Sequence, residues 1–141
     1  MRNKKNLKMK IIVLAYLCTS SVNIGCTGRP EPIRGGTSGI LTSDGIPMSQ
    51  MELTVYQDEP FTGQPLGYGN VQSDGHFELI DSSRRSALIL DSGSYRFTIE
   101  SQGAEIEIPV EYRDANRTSI RLSIQDDSRI EVSTVGLSNG M

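Results

Sequence analysis

The chain has 141 residues, 36% hydrophobic and 22% charged, with 14 Lys+Arg against 17 Asp+Glu for a net charge of −3. That length supports one buried core, and the missing basic excess argues against nucleic acid, whose binders concentrate Lys and Arg on one face. The single histidine disfavours a zinc site, the more so if neither cysteine is available as a thiolate.

The first 25 residues have the layout of a secretory signal peptide. Arg2, Lys4, Lys5, Lys8 and Lys10 form a basic start, "IIVLAYL" (Ile11 to Leu17) is a short apolar run, and small polar residues lead to "NIGC" at Asn23 to Cys26. The apolar run is too short to span a bilayer. A buried helix is a poor rival, since five cations and no amphipathic period leave it nothing to pack against.

Gly25-Cys26 resembles the lipobox of bacterial lipoproteins, with a small residue before the cysteine and Asn23 where an aliphatic residue is usual. The resemblance implies diacylation of Cys26, which becomes the first mature residue, and export to the bacterial cell envelope, facing the periplasm or the cell surface. Cleavage by the ordinary signal peptidase is the rival. Cysteine usage favours the lipid. Cys18 leaves with the leader, so Cys26 has no disulfide partner in an oxidising compartment. Two or three acyl chains anchor stably where one is marginal. Removing the five leader cations leaves nine arginines against seventeen carboxylates, a net charge of −8. Membrane contact is then expected from the lipid alone.

Residues 26–36, "CTGRPEPIRGG", read as a lipidated cysteine with a flexible Pro- and Gly-containing tether, residues 37–136 as the folded domain, and residues 137–141 as a tail. From Thr37 the pattern has period two with turn signals between short runs, which predicts an all-β fold: a single antiparallel β-sandwich of about seven strands. The expected inward residues are Met51, Leu53 and Val55; Phe77 and Leu79; Tyr95, Phe97 and Ile99; Ile106, Ile108 and Val110; Ile120, Leu122 and Ile124; then Ile130 and Val132. One wet face suits antiparallel sheets. Matching faces put Val110 opposite Ile120 and Ile108 opposite Leu122, in a hairpin with the three-residue loop Asp114-Ala115-Asn116 and positive φ at Asn116. Pro109 lacks an N–H and so predicts a sheet edge.

Four candidate sites follow. "VQSDGHFEL" (Val71 to Leu79) holds Ser73, Asp74 and His76, the residue types of a hydrolase triad. Alternation lets Asp74 and His76 approach each other, but three residues on one turn do not reach triad geometry. "SDG" also recurs at Ser43-Asp44-Gly45 without a histidine, so Asp44, Gly45, Asp74 and Gly75 read as turn residues and no catalytic residue is assigned. The carboxylates of Asp44, Asp58, Glu59, Asp74, Asp81, Asp91, Asp126 and Asp127 lack EF-hand spacing, and Asp126-Asp127 reads as another turn; no metal or cofactor is expected. "GQPLGYGNV" is Gly-rich but lacks the phosphate-loop lysine and a following helix. Phe61 and Tyr68 are the tentative ligand-binding aromatics.

From Gly39 to about Glu100 the chain is similar to the carboxypeptidase regulatory-like domain, a transthyretin-like relative of the immunoglobulin-like sandwiches. The matching residues are Gly39-Ile40, Asp44-Gly45-Ile46-Pro47, Leu53-Thr54-Val55, Ser73-Asp74-Gly75-His76-Phe77-Glu78-Leu79 and Gly93-Ser94-Tyr95-Arg96-Phe97. Ser92 stands where the family usually has proline, and one residue fewer separates Asp74 from Gly75. The resemblance implies fold roles for Phe77, Gly93 and Tyr95 and a non-catalytic accessory module that binds or scaffolds other envelope proteins. A carbohydrate- or peptide-binding domain is the alternative. A transthyretin-like hydrolase is less favoured, because such enzymes use several histidines.

Overall fold

Two Asp-Gly pairs set the first hairpins, as the sequence requires. The computed structural model describes residues 30–125 and 129–137. Strand β1 (Ser38–Ser43) turns into the short β2 (Ile46–Pro47) with Asp44 at φ 50° and Gly45 at φ 79°. Positive φ at both central residues is the type I′ turn, whose twist matches that of the strands. Strands β4 (Pro65–Asn70) and β5 (His76–Asp81) join through Ser73-Asp74-Gly75. There the Gln72 N–H donates to the His76 carbonyl at 2.8 Å, and Gly75 takes φ 82°. Both copies of "SDG" are turns.

The remaining strands are β3 (Met51–Gln57), β6 (Gly93–Ser101), β7 (Arg121–Ile124) and β8 (Ile130–Thr134). They form one sheet in the order β2-β1-β5-β4-β3-β6-β7, curled into a half-barrel, with β8 beside β1. The fold is all-β, as predicted. β5 makes the bend, since Glu78 pairs with Ser38 of β1 while Leu79 pairs with Gly69 of β4. All pairs are antiparallel except β1 with β8, where Gly39 lies opposite Ile130 and Ser43 opposite Thr134.

The core lies inside the curl. Leu41, Leu53, Val55, Phe77, Leu79, Phe97, Ile99 and Val132 are fully or almost fully buried, with Met51, Tyr95, Ile120, Ile124 and Ile130 beside them. Each such aliphatic or Phe side chain contributes about 1.5–3 kcal/mol of transfer free energy, so the period-two pattern located the main source of stability. Glycines make room for it. A side chain at Gly39 would overlap the Phe77 ring and the Ile130 carbonyl. Tyr95 is buried and donates its hydroxyl to the Asp91 carbonyl at 2.9 Å, and burial raises its pKa above the usual phenol value.

Residues 105–120 depart from expectation. Val110 and Ile120 do not pair, and neither do Ile108 and Leu122. Pro109 opens a helical turn, α1 (Val110–Arg113), and is not an edge-strand residue. β7 instead pairs with β6, with Leu122 opposite Tyr95. Local polar groups account for the change. The Asp114 N–H closes the turn on the Val110 carbonyl, and its carboxylate accepts the Asn116 N–H at 2.8 Å, so Asn116 needs no positive φ. The Thr118 hydroxyl then donates to the Phe97 carbonyl and pins the chain to β6. Ile108 is still buried, Ile106 and Leu122 are partly buried, and Val110 is exposed.

Contacts with the sheet extend to the residues on either side of 37–136. Gly35 and Gly36, read as tether, lie against the sheet: the Gly35 N–H donates to Glu78 Oε2 at 3.1 Å, and a side chain at Gly36 would overlap the Leu79 carbonyl. Leu137, read as tail, is buried and donates its N–H to the Ser43 hydroxyl at 3.0 Å. The compact unit begins at Pro32.

Candidate functional site

The turn of "VQSDGHFEL" brings two of its three polar side chains together. Asp74 Oδ1 accepts the His76 N–H at 3.0 Å, and Asp74 Oδ2 lies 3.1 Å from His76 Nδ1. The second contact is one of proximity and charge, because Nδ1 is enclosed without a well-aligned hydrogen-bond partner. The His76 backbone N–H is the main reason the Asp74 carboxyl sits below its usual pKa, with the imidazole adding to it. Ser73 is exposed on the turn and has no hydrogen bond to His76. The i, i+2 geometry thus yields an Asp–His pair that Ser73 does not join. Phe77 and Leu79 point into the core from the same strand.

The loop carboxylates have other partners. Asp44 Oδ2 accepts the Gly136 N–H at 2.9 Å, tying the first hairpin to the end of β8. Asp81 accepts the Ser83 hydroxyl and the N–H groups of Arg85 and Ser86, and these bonds, led by that from Arg85, lower its pKa. Among the described residues no group of three or more His, Cys, Asp or Glu side chains converges on a metal position. Asp126-Asp127 and Cys26 lie outside the described residues.

Both tentative binding aromatics sit on the outer face of the sheet, and each has an arginine on one ring face. Arg84, at φ 59°, lays its guanidinium 4.2 Å from the centre of the Tyr68 ring while reaching Glu52 at 3.1 Å. Arg96 stacks 3.9 Å over Phe61, which also meets Tyr56 edge-on at 6.2 Å.

Arg96 anchors a cluster that the alternation pattern does not reveal. Its Nε donates to Asp58 Oδ1 at 2.7 Å, its Nη2 also bonds that oxygen, and its Nη1 donates to the Ala115 carbonyl at 2.9 Å. The two side chains are only 9% and 10% exposed, although Arg96 occupies the outward face of β6. The loops 58–64 and 114–117 therefore fold over that face and meet on this ion pair. Arg121, half exposed, stands 3.9 Å from the same oxygen. The signal that could have found the pair is the β3–β6 register: Tyr56 lies opposite Arg96, and Asp58 follows two residues on.

No family model, curated protein or solved structure matches the chain.

Proposed function

We propose that the chain is a non-catalytic cell-envelope lipoprotein that presents one carboxypeptidase regulatory-like β-sandwich, held by a lipid on Cys26, as a binding or scaffolding module. The observation that carries this reading is the short distance in sequence between the cysteine and the fold. The compact unit begins at Pro32, six positions after Cys26. The residues before Cys26 have a leader's composition. The side chains best suited to chemistry have structural partners: His76 faces the aspartate of its own turn, and Asp58 is engaged by Arg96.

Growth of the expressing bacterium with radioactive palmitate tests the anchor. Label should enter the unaltered chain and be absent from Cys26→Ser; equal labelling of the two overturns the reading. The rival is a carbohydrate- or peptide-binding domain using Phe61 and Tyr68. It has less support, because stacking on these rings would have to use the faces that Arg96 and Arg84 leave open. A glycan array on the chain separates the two readings.

A further inference from the structure

The half-barrel is not closed. Among the described residues β7 pairs only with β6 and β8 only with β1, so each keeps one unpaired edge, and both edges border the open side of the curl. The hydrogen bonds show which peptide groups face that side. The Phe97 N–H donates to the Ile120 carbonyl at 2.9 Å, so by alternation Leu122 and Ile124 also face β6, and Arg121 and Ser123 turn their N–H and C=O groups outward. In β8 the Thr134 carbonyl accepts the Asp44 N–H at 3.0 Å, on the β1 side, which turns the peptide groups of Glu131 and Ser133 outward. All four of these residues are exposed. The next outward group along β8 already has a partner: the Val135 N–H donates to the Tyr112 hydroxyl at 3.4 Å.

The two edges match each other. The antiparallel pairs that run from β1 through β5, β4, β3 and β6 make β7 opposite in direction to β1, whereas β8 is parallel to β1. A second copy turned about a two-fold axis parallel to the strands keeps its strand directions. Set against the open side, its β8 meets β7 antiparallel while its β7 meets β8 in the same way. Full overlap puts Arg121 opposite Ser133 of the second copy and Ser123 opposite its Glu131, so outward groups meet outward groups and both bonds of each pair form. On the inner face Leu122 meets Val132 and Ile124 meets Ile130. Charge selects this pairing. Arg121 is half exposed, and the Asp58 oxygen nearest to it is already bound by Arg96. Glu131 is in no ion pair among the described residues. In the β7–β8 register Arg121 lies diagonal to Glu131 of the second copy, whereas pairing β7 with β7 or β8 with β8 sets like charges there and leaves the other edge open.

We propose that the protein forms a two-fold dimer in which β7 of each copy pairs with β8 of the other. The partner is a second copy of this chain, and each half-barrel is completed by the edges of its neighbour. Such an interface is isologous and closed, so it stops at two copies and does not grow into a fibre. Residues 126–128, which join β7 to β8, lie outside the described residues. The dimer does not rest on the anchor at Cys26.

The test uses the full chain with Cys18→Ser and Cys26→Ser, which removes lipid as a cause of assembly and leaves introduced cysteines as the only ones. Sedimentation velocity should give a dimer for this chain. Adding Glu131→Arg or Arg121→Glu should give a monomer, and adding both together should restore the dimer. Arg121→Glu sets a second carboxylate beside Asp58; if circular dichroism shows that variant unfolded, loss of the dimer in Glu131→Arg, at an exposed position, decides alone. Neighbours in a hydrogen-bonded antiparallel pair stand about 5.5 Å apart at Cα, within disulfide range. Under mild oxidation a mixture of Ser123→Cys and Glu131→Cys chains should therefore form the mixed disulfide in preference to either like pair. A monomeric starting chain, a dimer unchanged by Glu131→Arg, or preferential linking of Ser123→Cys chains to one another or of Glu131→Cys chains to one another overturns the proposal and leaves the reading of Cys26 untouched.

Discussion

Replacing Asp58 with alanine tests the claim that the outer-face ion pair is a structural junction. The substitution leaves the Arg96 guanidinium only 9% exposed, with the Ala115 carbonyl and the Phe61 ring as its remaining partners. Removing one member of a buried pair costs about 3–5 kcal/mol, because the survivor is an uncompensated charge. In a domain of this size each kcal/mol moves the melting temperature by about 4–8 °C, so Asp58→Ala should lower it by roughly 12 °C or more. Arg121 offers no compensation, since it is a second cation at the same carboxylate. The double variant Asp58→Ala with Arg96→Met should recover much of the loss, because no charge is then stranded. The exposed pair of Arg117 and Asp114 is the comparison: Arg117→Ala should cost about 0–1 kcal/mol. Urea unfolding of the unaltered chain, Asp58→Ala, Arg96→Met and the double variant gives the coupling free energy directly. Strictly additive losses, or an Asp58→Ala cost no larger than that of Arg117→Ala, would refute the argument.

Two further outcomes follow from the geometry. Gly39→Ala should cost about 1–3 kcal/mol of stability and so lower the urea midpoint, because the new carbon meets the Ile130 backbone carbonyl and the Phe77 ring in a filled core; a midpoint equal to that of the unaltered chain would contradict the packing. Asp81 should make the 82–86 loop acid-sensitive. Its carboxyl is held below the ordinary value of 3.8 chiefly by the Arg85 N–H, so the loop's stabilisation is complete above that value and is lost as pH falls through the lower folded one. The Arg85 amide resonance should titrate below 3.8, and Asp81→Ala should abolish the step; an amide that titrates unchanged in Asp81→Ala would refute it.

The parts of the fold that could be read from sequence are those governed by neighbours in the chain. The Asp44-Gly45 and Asp74-Gly75 turns follow from glycine's access to positive φ, and the buried positions of β3, β5 and β6 follow from alternation. Residues 105–113 alternate just as well and yet form no strand. What separates them is local polar chemistry: Pro109 starts a turn, and Asp114 captures the Asn116 N–H and the chain's next donors before a hairpin can close. A period of two reports which side chains seek the core; Ile108 reaches it from an irregular segment as readily as Ile99 does from a strand.

The candidate site divides along the same line. Asp74 and His76 meet because i and i+2 share a face, which any reader of the sequence can apply. Arg96 and Asp58 meet only because β3 lies beside β6, a pairing that spans four decades of sequence and leaves no local mark. Alternation assigned Arg96 to the outward face, and that is where it is; the error lay in equating outward with wet. On a curled sheet whose connecting loops are long enough to fold back, an outward position beneath such a loop is a second interior. A charge placed there needs a partner from the covering loop, and Asp58, at the point where β3 gives way to its loop, supplies it while its N–H holds the Ser94 carbonyl at 3.0 Å. A lone arginine between apolar neighbours on a long strand, with an aspartate ending the adjacent strand, is therefore the pattern to seek when a buried outer-face pair is suspected.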